Sequence, residues 1–212
     1  MSLRAGNNEM TIDSSVLAKN DWKNELPTLV SRHVALREVE VSDLTLVIEL
    51  LSVPDSTRFG IDEPDLELAA QQLIERATRE RSRGVSFTYA ITIASSRAFV
   101  GLIHVRPLDP MFEAAECDCT VLPASRGAGV FLESARLVGS FLFGTLGAHR
   151  LEARVPLQNG RGNGALKKLG AVQEGVLRRA LRRGDTYVDQ VLWSMLKEDW
   201  GDHWVSVASR VH

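Results

Sequence analysis

Every second residue from position 30 (Val30, Arg32, Val34, Leu36) falls on one face of an extended chain, which predicts a first strand over residues 29–37. The spacing then turns helical. Leu44, Val47, Ile48 and Leu51 recur three and four residues apart behind Ser42 and Asp43, which read as a helix start. Residues 54–64 are rich in acids and breakers and read as a loop. Asp65 opens a second helix through Leu68, Gln72, Ile74 and Ala77, with a charged end closed by Gly84. Residues 87–94 and 99–105, joined by a Ser-Ser-Arg turn, predict an antiparallel hairpin, and 114–122 predict a third strand. Alternation in that strand puts Glu116, Asp118 and Thr120 on one face and Cys117, Cys119 and Val121 on the other, and Pro123 stops it. A long helix over 129–143 carries the apolar stripe Phe131, Ala135, Val138 and Leu142. A strand over 149–157, a short helix over 163–169 capped by Gly170, and strands over 172–182 and 186–196 about a Gly-Asp turn complete the series. The expected fold is one mixed α/β domain with helices packed on a central sheet. Residues 1–24 read as an N-terminal arm, flexible or docked, 25–200 as the domain, and 201–212 as a tail.

Composition narrows the setting. The 212 residues hold no apolar run near the roughly 20 needed to span a bilayer, and the first 20 lack the apolar core of a secretory signal. A cytoplasmic protein without a membrane partner is expected. Two cysteines one residue apart, with no His or third Cys nearby, exclude a disulfide framework and predict no zinc site. The formal charge is −2, but residues 1–125 carry 12 basic and 19 acidic side chains, whereas the remainder carry 13 and 8. A basic half suits nucleic acid or a polyanionic small molecule. Its cations are dispersed apart from Arg178, Arg179, Arg182 and Arg183 around a turn, so no direct nucleic-acid contact is expected.

The most informative junction is the strand 114–122 followed by Pro123-Ala124-Ser125 and then Arg126-Gly127-Ala128-Gly129 opening a helix. Glycines there let consecutive backbone N–H groups converge at a helix N-terminus, an arrangement suited to a pyrophosphate. The same glycines also serve an ordinary tight turn. No Lys-Ser/Thr follows, so this is not a Walker loop, and the preceding antiparallel run does not fit a dinucleotide fingerprint. In order, Arg32-His33-Val34-Ala35-Leu36-Arg37, Ala115-Glu116-Cys117-Asp118-Cys119, Arg126-Gly127-Ala128-Gly129-Val130-Phe131, Asn159-Gly160-Arg161-Gly162, Leu166-Lys167-Lys168-Leu169-Gly170-Ala171 and the closing hairpin from Glu174 to Ser194 resemble the GNAT superfamily of acyl-CoA-dependent N-acyltransferases. The resemblance covers about residues 25–200 and is strongest to the branch of ribosomal-protein N-terminal acetyltransferases.

That resemblance implies a mostly antiparallel sheet with splayed central strands, acetyl-CoA as cosubstrate, no metal, and an amine acceptor that is either a protein N-terminus or a small molecule. It assigns the pyrophosphate to Arg126, Gly127, Ala128, Gly129, Val130 and Phe131, chiefly through backbone. It assigns the pantetheine arm to Thr120, Val121 and Leu122, with Asn159 contributing its side-chain amide; an Asn before Gly also serves as a turn former. Glu116 is the first candidate for the general base and Asp118 the second, because acetyl transfer needs a deprotonated amine. His104 joins them or is a satisfied sheet histidine. Three positions depart from the family pattern: Phe131 replaces a small residue, Gly162 replaces Ser, and Leu166 stands where many members place a Tyr that protonates the thiolate. The Phe131 ring is expected to turn onto the apolar stripe with Ala135 and Val138. Acceptor specificity is expected in the loops at 54–64 and 107–112 and in the final hairpin, on which a homodimer is one expectation. A catalytically idle acyl-CoA-binding module is the other class of reading.

Overall fold

The computed structural model describes residues 21–53 and 65–201; the first 20 residues, the loop expected at 54–64 and the tail beyond 201 lie outside them. Among the described residues eight strands form one sheet in the order β1-β2-β3-β4-β5-β6-β8-β7. They are β1 (Leu29–Val30), β2 (Val34–Glu38), β3 (Phe87–Ile93), β4 (Phe99–Pro107), β5 (Ala114–Val121), β6 (Arg150–Pro156), β7 (Val172–Arg183) and β8 (Thr186–Leu196). The helices are α1 (Leu44–Leu51), α2 (Leu66–Arg83), α3 (Val130–Ser140) and α4 (Gly160–Leu169). All neighbouring strands run antiparallel except β5 and β6. No helix among the described residues is long and apolar enough to cross a membrane.

Local chemistry sets the element ends. The Asp65 carboxylate accepts from the amides of Glu67 and Leu68 at 3.1 and 3.0 Å, capping α2, and Gly84 ends it in the left-handed region at φ +69°. The expected first strand is in fact two, broken at residues 31–33. There Ser31 Oγ, the His33 amide and His33 Nδ1 all reach the Glu133 carboxylate at the start of α3, which pulls the chain into a turn. Burial raises the Glu133 carboxyl, but those hydrogen bonds more than reverse it, leaving it below its ordinary range. The long helix expected over 129–143 is α3 followed by a wider π turn over residues 141–146, ended by Gly147 at φ +77°.

Helices cover both faces of the sheet. On one, α3 and the π turn pack Leu137, Val138, Phe141 and Phe143 against Phe87, Ile103 and Val105. Trp22, in the part of the expected arm that is described, is docked in this core edge-on to Phe87 and Phe112. Trp200 closes the same core: a Cβ on Gly139 would come within 2.3 Å of its ring, so only glycine admits it. On the opposite face, α1 and α2 bury Val47, Leu50, Ala70 and Ile74 over Ala90 and Leu102. Burial of this order on two faces of one sheet is the main source of stability.

Candidate functional site

The two parallel strands at mid-sheet pair over three rungs only, Ala114 with Arg150, Ala115 with Leu151 and Glu116 with Glu152. Beyond Glu116 they diverge: residues 117–121 keep β4 on one side, and residues 153–156 keep β8 on theirs. Between them opens a cavity of about 1620 Å³ that passes through the sheet, lined by Cys119, Phe131 and Leu166 on the α3–α4 face and by His104, Glu116 and Asp118 on the α2 face. The exposed edge of a splayed strand presents backbone groups to whatever enters, as a sheet edge does to an added strand.

At the α3 end of the opening, Pro123 begins a short turn, and Arg126 Nε donates back to the Val121 carbonyl at 3.0 Å, which fixes the guanidinium beside the strand end. Gly127 and Gly129 both adopt positive φ, +86° and +80°, and a Cβ on either would meet no atom within 4 Å. The first helical hydrogen bond runs from the Glu133 amide to the Gly129 carbonyl. The amides of residues 127–132 therefore take no main-chain acceptor among the described residues. These unmatched donors at a helix N-terminus fit a diphosphate, and the open space at both glycines lets one approach the backbone. Gly127, Gly129, Val130 and Phe131 line the cavity. Leu122 stands apart from the other expected pantetheine residues. Its amide donates to Val100, its carbonyl accepts from Ser125, and its side chain is buried under α1 and α2. Thr120 and Val121 line the opening.

Phe131 is half-buried and bridges two apolar clusters, one holding Ala135 and Val138 and the other Leu166, Val191 and Trp193, while it also lines the cavity. Helix α4 starts three residues earlier than its glycines suggested, because Asn159 Oδ1 accepts from the Gly162 amide at 2.9 Å and Asn163 Nδ2 donates to the carbonyls of Asn159 and Pro156. The capping Asn159 side chain and Val155 account for glycine at 162, since a Cβ there would lie 2.9 Å from both Asn159 Nδ2 and Val155 Cγ1. Asn159 lines the cavity, exposed, with its oxygen spent on the cap. Leu166 is buried against Trp193 and offers no proton.

The α2 face is polar. Glu116, 1% exposed, accepts from Arg106, its cross-strand partner, and lies 3.8 Å from Arg154 Nε. Asp118 is half-buried, opposite His104, whose Nδ1 is 2.9 Å from the Thr88 hydroxyl. Arg150 bridges Glu152 and Glu174; hydrogen bonds from Arg150 and Ser194 hold the Glu174 carboxyl down at about 2. On the other face, burial pushes the Cys119 thiol well up, as befits a small apolar group. Arg106, Arg154 and Gln190 were not singled out from the sequence. The alternation Arg150, Glu152, Arg154 on a mid-sheet strand is the signal that marks a polar face there.

The model of the acetyltransferase (GNAT) domain matches residues 33–172. The uncharacterized N-acetyltransferase YoaA of Bacillus subtilis (strain 168) is 26% identical over 174 residues, covering 81% of this chain and 97% of that protein. Among solved structures, a ribosomal-protein alanine acetyltransferase from Vibrio fischeri superposes with TM-score 0.67 at 17% identity, over 82% of this chain and 98% of that one. A spermidine N-acetyltransferase chimera from Vibrio cholerae superposes with TM-score 0.68 at 18% identity, over 81% and 99%. The two structures share this fold while their acceptors differ in kind.

Proposed function

The chain belongs to the GNAT acetyltransferase family, and from that premise we propose that it passes an acetyl group from acetyl-CoA directly to a primary amine held in the same cavity. The observation that carries this reading is the passage between β5 and β6, which links unmatched loop amides on the α3 face to carboxylates on the α2 face. Bound acetyl-CoA supplies the activated acyl carbon and the thiolate leaving group. The remaining work falls to the chain. The amides of residues 127–131 hold the pyrophosphate with the Arg126 guanidinium alongside. The open edge at Thr120 and Val121 takes the pantetheine arm as it would a strand, and Asn159 Nδ2 donates to that arm from the facing wall. Holding both reactants in one cavity contributes several kcal/mol toward the barrier.

The amine must lose a proton before it attacks. Glu116 is almost wholly shielded behind Arg106, whereas Asp118, one strand step further out, is accessible from the cavity. In this reading Asp118 takes the proton, and Glu116 positions Arg106 and Arg154. The acceptor is a protein N-terminus or a small primary amine. One residue favours an idle binding module, Leu166, which cannot protonate a thiolate. Thermal melts with acetyl-CoA, paired with thiol release across N-terminal peptides and small amines, separate the two. The transfer reading expects stabilisation of several degrees together with thiol release that requires an amine. Stabilisation without amine-dependent release contradicts it.

A further inference from the structure

We propose that Gln190 and Arg154 form an acceptor subsite for a carbonyl or carboxylate oxygen close to the reacting amine, the grouping found in amino acids and peptide N-termini and absent from polyamines and alkylamines. The inference rests on the transfer reading above. Gln190 is 4% exposed, and its Nε2 is fully buried with no hydrogen-bond partner among the described residues; Arg154 Nε shares that state. Both residues line the cavity. Register places them side by side on the α2 face: Arg154 pairs with Leu192 and Gln190 with Pro156, so the two are diagonal neighbours across β6 and β8. Buried donors are ordinarily satisfied; Arg154 Nε has only the Glu116 carboxylate at 3.8 Å, beyond hydrogen-bond reach, and Gln190 Nε2 has no acceptor among the described residues, so this wall of the cavity calls for an acceptor atom from outside the chain.

Position relative to the chemistry fits. Glu116 and Glu152 form the last parallel rung, so Asp118 on β5 and Arg154 on β6 each stand two residues beyond it, facing one another across the widening gap. An amine beside Asp118 that carries an oxygen one or two bonds from its α-carbon presents that oxygen to Arg154, and a following carbonyl reaches toward Gln190. A polyamine brings only donors to this wall and offers no acceptor to Gln190 Nε2 or Arg154 Nε. The neighbouring carboxylates have nearer partners than Arg154, Glu116 in Arg106 and both Glu152 and Glu174 in Arg150, and Arg154 meets Glu116 and Glu152 only at 3.8 Å. Sites built on buried donors reject analogues lacking the matching oxygen far more strongly than apolar pockets reject a missing methylene.

The test compares trialanine amide, alaninamide, propylamine and spermidine as acceptors for the full chain and for Gln190→Leu, with Gln190→Met as a second variant should the first fail to fold. Thiol release gives kcat and KM, and acetyl-CoA titration gives a separate affinity. The proposal expects the two carbonyl-bearing amines to exceed the other two at least tenfold in kcat/KM. It expects the variant to raise their KM about tenfold with acetyl-CoA affinity unchanged. Preference for trialanine amide over alaninamide identifies a polypeptide source, and the reverse a small molecule. Equal use of spermidine or propylamine, or an equal effect of the variant on all four amines, overturns the subsite. If no amine is turned over, the transfer reading fails and binding of trialanine amide to the CoA-loaded protein decides the subsite. A tenfold loss in the variant supports it, and equal binding overturns it.

Discussion

Glu116 and Asp118 sit one strand step apart on one face, yet their surroundings give them different work. Replacing Asp118 with Asn is expected to lower kcat by about 10² or more while acetyl-CoA affinity stays within about threefold. Glu116→Gln is expected to lower kcat less and to cost stability, because Arg106 loses its carboxylate. The reverse order would return the proton to Glu116. Glu174 yields a pH prediction. Its folded carboxyl lies at about 2, below the ordinary range, so its contribution is present above the ordinary carboxylate pKa and is lost as pH falls toward about 2. In Glu174→Gln the melting temperature at pH 7 should drop by an amount worth about 1 kcal/mol, modest because the side chain is 37% exposed, and its fall between pH 5 and pH 3 should flatten. An unchanged acid limb would contradict this. The shared facing of Glu116, Asp118 and Thr120 was legible in the sequence, since period-two alternation needs only one strand. The guanidinium partners of Glu116 were not, because Arg106 and Arg154 come from the strands on either side, and only register brings them in.

Among elements, α3 joins the glycine loop proposed to hold the pyrophosphate to the core, and Phe131 is where the two meet. Its ring touches both apolar clusters and also borders the cavity. Phe131→Ala should therefore cost about 2 kcal/mol, less than a fully buried ring would, and change acetyl-CoA affinity per folded molecule by less than about threefold. Unchanged stability with tighter binding would instead place the ring across the phosphate path. The expectation that the ring joins the stripe of Ala135 and Val138 was legible from helical spacing. Its contact with Leu166, Val191 and Trp193 was not, because α4 and β8 reach it only in three dimensions. Element ends show the same division. Local caps such as Asp65 and Gly84 could be read from sequence, whereas the break at residues 31–33 depends on Glu133, about a hundred residues away.

At the scale of the molecule, the uneven charge acquires a location: the basic half supplies Arg126, Arg161 and Lys168 to the cavity wall, cations of the kind that suit the proposed polyphosphate. Strand alternation alone could not show that β5 and β6 lie adjacent and parallel, since their pairing spans a helix and amounts to three rungs; the ordered family resemblance implied splayed central strands without naming this parallel pair. The central claim is that the splayed cavity holds acetyl-CoA by the amides of residues 127–131. The most direct measurement is acetyl-CoA titration of Gly129→Asp against Gly129→Asn. Both side chains enter open space, both tolerate the positive φ better than other residues, and they differ only in charge. The account predicts that the Asn variant binds within about tenfold of the parent and that the Asp variant, folded to the same extent, loses at least about a hundredfold, as a carboxylate set against the phosphates requires. Equal affinity of the two folded variants would place the cosubstrate elsewhere and contradict the account.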